Sequence, residues 1–196
     1  MNATKIKLSA TELNLVTNAD FILTKNSIIC KVVDAFSFVA SNFKDSITNK
    51  QLANEVLASS PKIAKGENYL GLPWVMLDYP RVFDKQDTCA VRTFFWWGNY
   101  LSITLQLSGK YQQLYQENIF KYLANTNVDW QLCCNKDAWQ HHFKASNYKP
   151  FSEFSTKEFA NLTFIKVAKK IPLQEWDKIN VFLEENFTLL LNLLTT

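Results

Sequence analysis

Two adjacent histidines, His141 and His142, are the side chains of this sequence best suited to acid–base chemistry near neutral pH. Asp137 lies four residues before His141. If residues 136–143 form a helix, Asp137 and His141 share one face, where a carboxylate and an imidazole can hold a metal ion together. A metal site needs three or four ligands, however, and the HEXXH, HXH and paired CXXC spacings are absent. We therefore predict no metal site and no cofactor.

Arg81 and Arg92, the two arginines of the chain, form a second candidate centre. A guanidinium binds a carboxylate or a phosphate through its planar fork of donors. Together with Asp137 and His141 they define one functional hypothesis, a small hydrolase or transferase. The competing interpretation, which we favour, is an internal ion pair between Arg92 and Asp78.

A β-hairpin is the clearest structural signal in the sequence. Residues 89–97 and 100–108 resemble strands, and the Gly98-Asn99 link between them can adopt the positive φ that tight turns require. With a two-residue loop, Trp97 opposes Tyr100, and side-chain alternation sorts the hairpin into an apolar face and a mixed face. The mixed face is predicted to carry Val91, Thr93, Phe95, Trp97, Tyr100, Ser102, Thr104 and Gln106.

The mixed face predicts a binding surface, because rings beside hydroxyl and amide groups can stack on a ligand and orient it. Phe95, Trp97 and Tyr100, with Arg81 and Arg92, are the predicted ligand-binding residues. Our first functional hypothesis is accordingly a domain that binds a small ligand or a protein partner. If a helix covers the three rings, they are core residues instead.

Composition argues against several other classes of function. The formal net charge of +3 arises from 21 basic and 18 acidic residues scattered along the chain, which does not indicate a nucleic-acid partner. No segment has the pattern of a secretory signal or of a membrane span. Phosphate-binding glycine loops and the GxSxG motif are absent. We expect a cytoplasmic protein without a nucleic-acid or membrane partner.

The spacing of apolar side chains changes along the chain, and it predicts the helices and strands that position these residues. Apolar side chains recur every three or four residues in 21–43, which predicts a long amphipathic helix. Residues 73–108 alternate instead and predict a three-stranded meander, with Pro80 at a bulge or an edge, whereas residues 62–72 are predicted as loop. We predict one domain spanning residues 1–196, of the α+β class, in which an antiparallel meander sheet packs against N-terminal and C-terminal helices.

Residues 173–194 predict a terminal helix that is apolar on nearly every side. Leu189 and Leu193 fall outside its continuous apolar stripe. A soluble monomer rarely exposes so many leucines together. The helix is therefore predicted either to be central to the domain or to form a homodimer interface.

Overall fold

The computed structural model describes residues 6–48, 50–126 and 129–195. Its helices and strands follow one another as α1 (Ala10–Thr17), α2 (Ala19–Ile47), α3 (Asn54–Leu57), β1 (Lys62–Tyr69), β2 (Leu72–Phe83), β3 (Thr88–Trp96), β4 (Tyr100–Ser108), α4 (Gly109–Asn125), β5 (Gln131–Cys133), β6 (Tyr148–Pro150), α5 (Thr156–Ala160), β7 (Ile165–Pro172) and α6 (Ile179–Leu193). Short 3₁₀ helices precede α5 and α6, at Phe151–Glu153 and Leu173–Lys178.

The strands form one antiparallel sheet in the order β1-β2-β3-β4-β7-β5-β6. One face of the sheet packs on α2, α4 and α6, and the apolar side chains between sheet and helices form the main core. The predicted α+β class, with an antiparallel meander packed against N-terminal and C-terminal helices, is confirmed. None of the described helices combines the length and the hydropathy needed to cross a bilayer.

The hairpin between β3 and β4 has a three-residue loop, so the predicted register was wrong by one residue. Trp96, and not Trp97, pairs with Tyr100, and the Asn99 amide donates to the Trp96 carbonyl at 3.0 Å. Gly98 has φ 69°, the positive value expected at the third position of a type II turn. A shift of one residue moves every side chain of β3 to the opposite face relative to β4.

The corrected register changes which residues share a face. The odd-numbered residues Val91, Thr93 and Phe95 face the helices, together with the leucines of β4. The face opposite the helices, which we call the polar-aromatic face, mixes rings, hydroxyls and charges. It carries Trp74, Asp78, Arg92, Phe94, Trp96, Tyr100, Ser102, Thr104, Gln106, Lys166 and Lys170.

The prediction of residues 62–72 as loop was wrong, because strand β1 forms there although its sequence, KIAKGENY, alternates weakly and contains a glycine. It lies at the edge of the sheet, where Gly66 pairs with Trp74. A Cβ on Gly66 would lie 2.7 Å from the Trp74 ring, so this position needs a residue without a side chain. The bulge predicted at Pro80 is confirmed, because the register of β2 against β3 shifts between Asp78 and Arg81.

The C-terminal helix α6 is central, which confirms its predicted burial on more than one side. Leu191 and Leu193 are buried within the chain, and Leu189 is half-buried. On the side facing α2, the rings of Phe43 and Phe187 stack with centroids 3.5 Å apart. The leucines that suggested a homodimer interface are thus covered within the chain, in agreement with the central-helix alternative.

The turn geometry predicts the effect of substitutions at Gly98. We expect Gly98→Ala to lower the free energy of unfolding by about 1 kcal/mol, because an L-residue resists positive φ. Apart from the two adjacent residues, no described residue has an atom within 4 Å of the added Cβ, so the penalty arises from this strain. Urea unfolding of Gly98→Ala and Asn99→Val measures it, and a larger loss for Asn99→Val would contradict the three-residue loop.

Candidate functional site

A loop that joins β5 to β6, residues 134–147, lies across the polar-aromatic face, and we call it the covering loop. The helix predicted for residues 136–143 is absent from it. The Asn135 side chain accepts from the Asp137 amide at 2.9 Å, and the Asp137 carboxylate accepts from the Trp139 amide at 2.9 Å. Local side-chain acceptors of this kind compete with the backbone bonds of a helix, which explains the wrong prediction.

Two tyrosines of the sheet hold the covering loop by its backbone. The Tyr69 hydroxyl accepts from the amides of His141 and His142, at 2.7 and 3.1 Å. The Tyr100 hydroxyl donates to the His141 carbonyl at 3.1 Å. The loop backbone is therefore positioned by hydroxyl groups that lie far away in sequence.

Lys166, on β7, is a third anchor beneath the covering loop. Its ammonium group donates to the carbonyls of Ala138, at 2.8 Å, and Gln140. The side chain is completely buried, and its Nζ lies 5.6 Å from the centroid of the Tyr148 ring. Burial lowers the pKa of Lys166 from 10.5 to about 8, because the charged form loses its hydration.

The predicted ion pair between Arg92 and Asp78 is confirmed. Arg92 Nε and Nη2 donate to the two carboxylate oxygens at 2.7 and 3.0 Å, a bidentate arrangement in which both side chains are largely buried. The guanidinium lies 5.7 Å from the Phe83 ring and 5.4 Å from the Trp139 ring. The Nε and Nη2 donors that could bind a ligand's carboxylate or phosphate are thus bound to Asp78 instead.

Arg81, the other predicted ligand-binding arginine, lies apart from Arg92. It follows the bulge of β2, and its Nε donates to the Ser60 carbonyl at 3.0 Å. Its backbone amide donates to the Ser59 hydroxyl at 3.2 Å. These bonds tie the start of β1 to β2, so the structure does not join the two arginines in one centre.

The three predicted ligand-binding rings do not share a face, because the register differs from the predicted one. Phe95 and Trp97 lie on the helix side of the sheet, with ring centroids 6.5 Å apart. Phe95 is 2% exposed, and its centroid lies 6.4 Å from that of Trp176. Tyr100 belongs to the polar-aromatic face, where it contacts Trp96.

Asp137 and His141 are likewise not paired on a helix. The Asp137 carboxylate accepts from the Gln140 side chain at 2.8 Å, and the His141 ring lies over Phe94 with centroids 4.9 Å apart. Burial, helped by the positive charges of Lys166 and Arg92, lowers the pKa of His141 well below its usual range. The hydrolase or transferase hypothesis stays a prediction, but the helix over residues 136–143 that was to pair Asp137 with His141 does not form.

A pocket of about 390 Å³ opens where the β3–β4 turn meets the covering loop, and we call it the hairpin-end pocket. It is lined by Trp96, Gly98, Asn99, Tyr100, His142, Phe143, Lys144 and Lys170. The Lys170 ammonium lies 5.3 Å from the centroid of the Tyr100 ring and 5.1 Å from that of Phe143. One cation is thus held over two rings at the edge of the pocket.

The charge around the hairpin-end pocket is positive. Lys144 and Lys170 contribute two ammonium groups, and none of the described lining residues carries a carboxylate. Burial lowers the pKa of His142, so its imidazole is neutral at pH 7. Within residues 6–48, 50–126 and 129–195, the His142 Nδ1 atom is buried without a hydrogen-bond partner. Rings and cations together form a site suited to an anion that carries a flat apolar group.

A larger cavity, about 590 Å³, lies between the end of α4 and strand β5. Asp129 is the only ionisable residue among its described lining residues, so this cavity has fewer groups that could bind a charged ligand than the hairpin-end pocket. Across the described part of the chain, no cluster of three His, Cys, Asp or Glu side chains is arranged to hold a metal ion.

Sequence reasoning missed Phe143, Lys144 and Lys170. Lys170 pairs with Ser102 in the sheet, and a strand predicted over residues 165–172 would have placed it on the same face as Lys166, four residues earlier. Phe143 and Lys144 reach the site only through the path of the covering loop. Comparison with protein-family models, curated proteins and solved structures finds no match to this chain.

Proposed function

We propose that this protein binds a small anionic molecule with a flat apolar group in the hairpin-end pocket. The observation that carries the proposal is the combination of two lysines with three rings, Trp96, Tyr100 and Phe143, among described lining residues that include no Asp or Glu. The Trp96 and Tyr100 rings, 7% and 8% exposed, offer edge contacts to a planar group, and Phe143 is half-buried. The ammonium groups offer charge-assisted hydrogen bonds to a carboxylate or a phosphate.

The rigidity of the pocket supports this proposal. Trp96 Nε1 donates to the Tyr69 carbonyl at 3.2 Å, and the Tyr100 hydroxyl is held by the covering loop. The Tyr100 and Phe143 rings meet edge to face, with centroids 5.1 Å apart. A ligand would therefore meet walls that are already in place, which lowers the ordering cost of binding.

Three small probes separate the contributions of ring and charge. Phenyl phosphate carries both, inorganic phosphate carries the charge alone, and benzyl alcohol carries the ring alone. By isothermal titration calorimetry we expect phenyl phosphate to bind most tightly, because it can use the rings and the lysines together. Equal affinities for phenyl phosphate and inorganic phosphate would contradict a role for the rings.

A lysine variant tests the position of the site. Lys170→Gln should weaken phenyl phosphate binding about fivefold, the effect of about 1 kcal/mol expected for a partly exposed charge pair. The matched control is Lys169→Gln, which removes the same charge from the neighbouring residue of β7 on the opposite face of the sheet. It should change the affinity less than twofold, and equal losses for both variants would place the anion elsewhere.

We also propose a cytoplasmic location and, because the basic residues are scattered along the chain, a lack of nucleic-acid partners. Cell fractionation tests the first, and a gel-shift assay with single-stranded RNA tests the second.

A further inference from the structure

The N-terminal arm, which we define as residues 6–24, contacts little of the remaining structure. Every residue of the arm is exposed, and helix α1 contains no buried residue. The first buried residue of α2 is Ile29. The arm nevertheless carries eight large apolar side chains that are 48% to 74% exposed: Ile6, Leu8, Leu13, Leu15, Val16, Phe21, Ile22 and Leu23.

The helices of the arm are specified by local signals. Ser9 and Glu12 form a reciprocal capping box at the start of α1, and the Asn18 side chain accepts from the Phe21 amide at the start of α2. A helix of eight residues without tertiary contacts is marginal in water, whatever its caps. A partner surface would therefore stabilise helix α1 most, since residues 19–24 continue into the long helix α2.

The distribution of apolar residues around the arm points to a protein partner. Leu13, Leu15 and Val16 project in three different directions, because successive residues of a helix are rotated by about 100°. A helix that is apolar on several sides is suited to burial between other helices. A helix lying on an anionic membrane carries a basic face, whereas the arm has one lysine and two acidic residues.

We propose that this arm packs against the arm of a second copy of the chain and forms a two-fold dimer. A standard stable interface takes about 800 Å² from each partner, and the exposed apolar side chains of the arm are the main apolar surface from which it can be drawn. Of the fifteen large apolar side chains exposed in the described residues, eight lie in the arm. The other arm is thus the most apolar surface that a second copy offers, and a two-fold axis allows the two to cover each other.

Analytical ultracentrifugation of the full chain, from micromolar to hundreds of micromolar, tests this proposal. We expect the wild type to sediment with twice the mass of the chain. Leu15→Lys combined with Leu23→Lys should weaken dimerisation at least 100-fold and give a monomer. These positions make no core contact, so the near-ultraviolet circular dichroism should be unchanged.

The matched control combines Leu114→Lys with Val181→Lys, which places two lysines at equally exposed apolar positions on α4 and α6. This variant should remain a dimer. A monomeric wild type, a dimer that persists in the arm variant, or equal dissociation of both variants would each overturn the proposal. Co-sedimentation of a monomeric wild type with phosphatidylcholine vesicles, lost in the arm variant, would also overturn it and assign the arm to a lipid surface.

Discussion

Replacing Arg92 by Met is expected to lower the free energy of unfolding by about 3–5 kcal/mol, the range observed when one partner of a buried ion pair is removed. The Asp78 carboxyl group would be left without the two donors that now bind it, in a site where its side chain is 13% exposed. The guanidinium also lies within 6 Å of the centroids of both the Phe83 and Trp139 rings, so the variant loosens the contact between the covering loop and the sheet.

The double variant Arg92→Met with Asp78→Leu separates the two contributions. It removes both charges and retains the apolar volume, so we expect it to recover most of the lost stability. Arg81→Met is the matched control, because Arg81 uses a single side-chain hydrogen bond and lies nearer the surface. We expect it to cost less than 1 kcal/mol. If urea unfolding gives equal losses for Arg92→Met and Arg81→Met, the buried pair does not carry this stability.

The hairpin shows how far periodicity can predict a sheet. The sequence shows which residues alternate within β3 and within β4. The length of the loop decides which set of residues on β3 lies on the same side of the sheet as a given set on β4. Gly98 is compatible with a two-residue and a three-residue loop. Every residue of β3 is buried, so solvent exposure offers no further clue to its orientation.

The candidate site was less predictable than the fold because it depends on contacts between distant segments. The covering loop is held by Tyr69, Tyr100 and Lys166 through backbone atoms of the loop, and such bonds leave no pattern in the loop sequence. Tyr100 was predicted as a ligand-binding residue and does line the hairpin-end pocket. Its ring and hydroxyl were recognisable from the strand pattern, whereas its partner Phe143 was not.

The pH dependence of stability should reveal Lys166. The pKa of this lysine is about 8 in the folded protein and 10.5 when exposed. Between these values the unfolded chain holds a proton that the folded chain has released, so the free energy of unfolding rises with pH. At neutral pH the folded protein bears the full cost of a buried charge. Raising the pH from 7 to 9.5 should therefore increase the contribution of Lys166 by about 2 kcal/mol.

Lys166→Met isolates this contribution, because methionine retains much of the apolar stem and does not titrate. Losing the bonds to Ala138 and Gln140 shifts the stability of the variant by an amount that does not depend on pH. The test is thus the slope: the wild type should gain about 2 kcal/mol over Lys166→Met between pH 7 and 9.5. The control Lys169→Met, on the opposite face of β7, should retain the rise of the wild type. Parallel stability curves for wild type and Lys166→Met would mean that this lysine is hydrated in solution, and that the covering loop does not close over it.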